Sequence, residues 1–251
     1  MLVKEKTIPR DNLLDYTISI HGFPKIGKST LANQAGKVLF ADTEGGLSAL
    51  SVYKEPVSSW SNGQGGFLEL CRDFVNEKHD YTAMCIDTID VLHKLCSSNV
   101  LGKQKVIHES DLEWGKGWQM VKDEFMRPLN KLAVSPFGLI LISHSRMVEI
   151  QTRIAKVTKA IPTLQSSIWT AIEAFVDIII YFHSEETDSG EKRYLRTKPS
   201  EKWIAGDRTK KLLYADPIEI GEGNNWKKIE EAFRSEPVIP EKKQGVLLGG
   251  E

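Results

Sequence analysis

The stretch Tyr16-Thr17-Ile18-Ser19-Ile20-His21-Gly22-Phe23-Pro24-Lys25-Ile26-Gly27-Lys28-Ser29-Thr30 decides the fold. Residues 16–20 read as a strand, rich in β-branched side chains, and residues 28–35 read as a helix. Between them, residues 22–29 carry the spacing G-x-x-x-x-G-K-S. The glycines let the backbone curl so that successive N–H groups point inward at phosphate oxygens. The helix that follows adds the positive end of its dipole. In such a loop the Lys28 ammonium reaches the β- and γ-phosphates and the Ser29 hydroxyl takes Mg²⁺. Gly22, Phe23, Pro24, Lys25, Ile26, Gly27, Lys28, Ser29 and Thr30 are therefore the expected nucleotide-binding residues, with ATP and Mg²⁺ as the expected cofactors.

Outward from this loop, strand-like and helix-like runs alternate. Residues 38–41, 82–86, 139–142 and 176–182 read as strands, and the wholly apolar 139–142 run suits the centre of a parallel sheet. Residues 67–77 have helical apolar spacing. Trp114, Trp118, Val121, Phe125, Leu129 and Leu132 trace a stripe at steps of three and four, which predicts a long amphipathic helix with both tryptophans in the core. Trp60 is expected in the core as well. Asp188-Ser189-Gly190 is a turn signal between residues 176–183 and 192–197, so a hairpin is expected there. The pattern predicts an α/β fold with a mainly parallel central sheet, helices on both faces and an antiparallel hairpin at one edge. Residues 1–13 read as an arm, 14–215 as the main domain, and 216–251 as a short helix near 226–233 followed by a flexible tail.

A nucleotide site of this kind needs further groups. Asp87 ends the apolar run 83–86, where a carboxylate at the carboxyl end of a parallel strand faces the phosphate crevice and supports the metal. Asp90 is its rival, and helix capping near Thr88 is the bland alternative. Glu44, in Asp42-Thr43-Glu44-Gly45-Gly46, is placed to orient or deprotonate a water. Asp42 is the alternative carboxylate there. His144, in Ser143-His144-Ser145, is placed to hydrogen-bond a γ-phosphate and report hydrolysis to the loop after it, with Ser143 as competitor and a solvated histidine as the bland reading.

These positions, in this order, resemble the RecA-like P-loop ATPase superfamily over residues 14–215. The pattern is most similar to small phage-encoded RecA-like ATPases of the Sak-type single-strand-annealing group, which are often described only as AAA-type ATP-binding proteins. The resemblance makes Glu44 the water-activating base. It implies a DNA-stimulated ATPase acting on single-stranded DNA in recombination or repair, a head-to-tail ring or filament, and cooperation with a single-strand-binding protein or another recombination factor. In RecA-like assemblies, basic residues after the late hairpin act on a neighbour's γ-phosphate, which makes Arg196, Lys198 and Arg208 the candidates here. A solvated basic face is the alternative. Arg146, Arg153, Lys156 and Lys159 lie where recombinases carry a mobile DNA-contacting loop; an amphipathic helix with a wet basic face is the alternative.

Composition narrows the classes. Of 251 residues, 41% are apolar and 27% charged, ordinary for a globular protein, and the net charge of -1 restricts any nucleic-acid site to a local patch. Three widely spaced cysteines, Cys71, Cys85 and Cys96, argue against a zinc ribbon or a disulfide framework and suit a reducing compartment. The Met1-Leu2-Val3-Lys4-Glu5-Lys6 start has no apolar run after its charges and no apolar stretch approaches a membrane span, so a cytoplasmic protein is expected, in the bacterial host if phage-encoded. Competing readings are a AAA+ helicase loader, which needs a helical lid where strands are predicted here, a small-molecule kinase, which leaves Glu44 unexplained, and a nucleotide-gated binding module with little hydrolysis.

Overall fold

A computed structural model describes residues 6, 8–151, 155–188 and 190–235. Its sheet is assembled from β1 (Thr17–Gly22), β2 (Val38–Asp42), β3 (Tyr53–Pro56), β4 (Ala83–Asp87), β5 (Gly138–Gln151), β6 (Lys156–Pro162), β7 (Ile178–Thr187), β8 (Gly190–Arg196), β9 (Gly206–Asp207) and β10 (Ile218–Ile220). The order across the sheet is β10-β8-β7-β1-β5-β4-β2-β3, with β6 paired to β5 and β9 to β7. Pairing is parallel from β7 through β3 and antiparallel for β7–β8 and β8–β10 at one edge. This is the mainly parallel α/β sheet expected, with its antiparallel strands at one edge.

Alternation along each strand divides the apolar residues between two cores. Leu39 and Ala41, Met84 and Ile86, and Leu139 and Leu141 face α2 (Phe67–Asn76), α3 (Ile89–Gln104), α4 (Lys116–Ala133) and α5 (Ser166–Phe175). Ile18 and Ile20, Phe40, Cys85, Ile140 and Ile142 face α1 (Lys28–Asn33) and α6 (Asn225–Arg234). Trp60 is buried as expected, its indole N–H donating to Glu124 Oε1 at 2.9 Å. All three cysteines are free and buried.

Three expectations need correction, and one strand went unread. Trp114 is 99% exposed and Trp118 is 39% exposed. Trp114 and Gly115 are both left-handed (φ 58° and 70°), so α4 starts only at Lys116 and the buried stripe only at Val121. The segment after His144, expected as a loop with a helix as the alternative, is strand-paired: β5 continues past the sheet to Gln151 and returns as β6, an antiparallel ribbon. Of its expected cations, Arg153 lies outside the described residues. The boundary at 215 is crossed by the core, because β10 joins the sheet and Trp226, Ile229 and Phe233 of α6 pack in the α1-side core. Finally, the edge strand β3 carries no strand signal in its sequence, Tyr-Lys-Glu-Pro, and forms by pairing with β2. The expected flexible tail, 237–251, falls outside the described residues, as do residues 1–5 and 7 of the arm.

Candidate nucleotide-binding site

The loop between β1 and α1 is built by close packing and unusual dihedrals. A side chain at Gly22 would come within 2.3 Å of the Phe182 carbonyl oxygen of β7. Gly27 sits at φ +110°, a conformation L side chains rarely adopt, and α1 starts immediately after it. Lys28 is buried, and its ammonium donates to the Gly22 and Phe23 carbonyls, both at 2.9 Å, threading the loop it belongs to.

Parallel strands bring the other groups to the same end. Gly22 of β1 lies level with His144 of β5, Asp87 of β4 with Ile142, and Asp42 of β2 with Asp87. Ser29 Oγ donates to Asp87 Oδ2 at 2.6 Å. Glu44 accepts from Thr88 Oγ1 at 2.7 Å through one oxygen, and its other oxygen is 3.2 Å from His144 Nε2. His144 Nδ1 is 3.4 Å from the Lys28 ammonium. Lys28, Ser29, Asp87, Glu44 and His144 thus line one cleft of about 440 Å³, with Pro24, Lys25, Gly27 and Thr30 at its loop side. Burial holds the Lys28 ammonium down at about 8, although Asp87, Asp90 and Glu44 pull it back up. Burial likewise raises Asp87, partly offset by the Ser29 hydrogen bond.

The alternative side chains are held as follows. Asp42 is committed on both oxygens, accepting from Gly45 N at 2.7 Å and from Lys54 Nζ at 3.2 Å, so it shapes the loop that presents Glu44. Asp90 accepts from Ser143 Oγ and the His144 backbone N–H at 3.1 Å each, and from Thr163 Oγ1 at 2.6 Å. It anchors the start of the β5–β6 ribbon, and the Ser29 hydroxyl bonds to Asp87 instead. Ser143 is fully buried against Asp90, which leaves His144 as the residue facing Glu44.

The candidate cations from the basic segment are not in this cleft. Arg196 is tied down: Nε donates to His183 Nε2 at 3.0 Å, Nη2 to Glu185 at 2.8 Å, and the guanidinium lies 4.9 Å over the Trp203 ring. Arg208 donates to Asp177 Oδ1 and the Ala174 carbonyl at the amino end of β7, the opposite end of the strands from the loop. Lys198 is exposed. The basic residue that does reach the loop is Arg193 of β8, 3.3 Å from the Ile26 carbonyl. In the sequence it is one cation among many in a basic run, and only the pairing of β8 with β7 singles it out.

The AAA domain family matches residues 14–209, more than three quarters of the chain. The chain belongs to that family. No curated protein matches this AAA domain at a significant level. Among solved structures it is similar to a KaiC-like protein from the hyperthermophilic archaeon Pyrococcus horikoshii, at 13% identity and a TM-score of 0.41, over 72% of this chain and 77% of that one. The AAA domain is of the P-loop ATPase type, and the donors in its cleft fit that chemistry. A hydroxyl and a carboxylate in contact, Ser29 and Asp87, are the hard oxygen donors that Mg²⁺ takes alongside phosphate and water. Among the described residues no helix is long and apolar enough to cross a membrane.

Proposed function

We propose that this protein binds and hydrolyses Mg²⁺-ATP and acts on single-stranded DNA in recombination or repair, as the phage Sak-type resemblance implies. The observation that carries the reading is His144. Its imidazole touches both Glu44 and Lys28, and the next residue, Ser145, begins the β5–β6 ribbon. A side chain that meets the γ-phosphate position on one side and a projecting ribbon on the other can convert nucleotide state into ribbon position.

Each residue then has a role. Lys28 and the loop N–H groups hold phosphate; Ser29 and Asp87 hold the metal. Mg²⁺ held by Ser29 and Asp87 would supply charge neutralisation to the phosphate. Glu44 keeps unused lone pairs beyond its bonds to Thr88 and His144, and so can accept a proton from water. The ribbon offers Arg146, Lys156 and Lys159 to backbone phosphates, and exposed Met147 and Ile150 to unstacked bases. Head-to-tail assembly into a ring or filament would supply a trans cation. Lys198 suits that role best, since Arg196 and Arg208 are held in ion pairs. A single-strand-binding protein or another recombination factor is the expected partner.

The test is ATP hydrolysis with and without single-stranded DNA at low salt, with Lys28→Ala as the blank. Stimulation by DNA that weakens steeply as salt rises is the expected result. Turnover indifferent to DNA would remove the recombination reading and leave the ATPase. Turnover by Lys28→Ala equal to wild type would remove both.

A further inference from the structure

Arg193 lies on β8 opposite Ser184 of β7, two residues past Phe182, whose carbonyl packs on Gly22. From there its Nη1 donates to the Ile26 carbonyl at 3.3 Å. The same nitrogen is 3.2 Å from where a side chain on Gly27 would stand, and the Phe182 ring is 3.7 Å from that point. The guanidinium therefore sits on the outer wall of the phosphate loop, at the glycine whose backbone is least constrained by its own chemistry.

The Ile26 C=O and the Gly27 N–H are the two ends of one planar peptide. That peptide is trans, so oxygen and hydrogen point in opposite directions. A cation holding the oxygen on the outside fixes the N–H on the inside, where the phosphates lie. It also draws electron density toward the oxygen, making the N–H a stronger donor. The Gly22 and Phe23 carbonyls are held differently, by Lys28 from within. Gly27 at φ +110° has no side chain to resist rotation of this peptide, and the grip of Arg193 supplies that resistance.

We propose that Arg193 is a positioning residue for nucleotide phosphate, acting in cis by holding the Ile26–Gly27 peptide with its N–H turned into the loop. The role rests on the nucleotide-binding reading above. It is distinct from a trans role for the basic segment, because donor and acceptor belong to one chain.

The test compares wild type, Arg193→Met and Arg193→Lys for ADP affinity by titration, for the kcat and KM of ATP hydrolysis, and for the Gly27 amide proton resonance without nucleotide. Arg193→Met should weaken ADP binding and raise the KM for ATP by about fivefold each, the net size of one ordinary hydrogen bond. The loss should appear in KM, because a fixed N–H serves ground and transition states alike. The Gly27 amide proton should move upfield in Arg193→Met and recover in Arg193→Lys, which keeps a cation on a flexible stem. Should Arg193→Met fail to fold, Arg193→Gln lacks the charge on a polar stem and carries the same expected loss. Unchanged ADP affinity in the charge-lacking variant, or equal losses in the Lys variant and the neutral one, would overturn the role. Wild-type protein that binds no ADP would remove the nucleotide reading and this role with it.

Discussion

His21, one residue before the phosphate loop, should make the protein acid-sensitive in a window set by its burial. Its ring is fully buried between Tyr181, at 5.1 Å, and Trp169, at 6.2 Å. Nε2 lies 2.6 Å from the Ile204 carbonyl, which can only accept, so that nitrogen carries the proton. Nδ1, 2.8 Å from Ser145 Oγ, is then the acceptor. Burial lowers the pKa from 6.5 to about 4, the Ile204 contact opposing and Lys28 adding to the fall. The unfolded chain therefore binds one more proton than the folded one between these values. Stability is complete above pH 6.5 and is lost as pH falls toward 4. The full loss is about 3 kcal/mol, of which about 2 kcal/mol falls between pH 7 and pH 5. Burial also lowers His93 and His183, so the wild-type slope alone does not isolate His21. Urea unfolding at pH 7, 6 and 5 should be run beside His21→Gln, whose amide can still donate to Ile204 and accept from Ser145. The variant should lose about 2 kcal/mol less over that interval, or about 4–8 °C less in Tm. Parallel pH slopes for the two proteins would refute the burial cost assigned to His21.

Other outcomes follow from the same contacts. Glu44→Gln should retain ADP binding while hydrolysis falls by about 10²-fold or more, measured as phosphate release under saturating ATP; unchanged turnover would take the base role from Glu44. Asp90→Ala leaves the His144 N–H unmatched and removes one of two acceptors from the Ser143 and Thr163 hydroxyls, and should cost about 2–3 kcal/mol in urea unfolding, whereas Asp90→Asn, which keeps acceptor geometry, should cost less. Trp60→Ala should cost about 3–5 kcal/mol, since its ring is packed against Phe67 and Phe125. Trp114→Ala should stay within about 0.5 kcal/mol of wild type, and a large loss there would mean that its indole packs in the folded protein.

Two kinds of information separate what was legible in the sequence from what was not. The phosphate loop, the strands at 82–86 and 139–142, and the positions of Glu44, Asp87 and His144 are local signals, because an apolar run ending in a polar residue carries its own register. Parallel pairing then brings those run-ends together without further instruction, so a sheet order alone converts them into one cleft. The misreading of Trp114 is local, and the others depend on partners distant in the chain. Trp114 fits the helical stripe by spacing, and only the left-handed turn at 114–115 takes it off the core. The β5–β6 ribbon has mixed polar and apolar residues that suit a helix face as well as a strand pair, and its cross-strand partners decide the matter. The basic run after 191 shows how far charge alone can mislead. Its cations look equivalent in sequence, yet pairing with β7 sends Arg196 to Glu185 and Trp203, the turn after β9 sends Arg208 to the far end of the sheet, and Arg193 meets the phosphate loop. A cation's role is thus fixed by the strand neighbour that aims it.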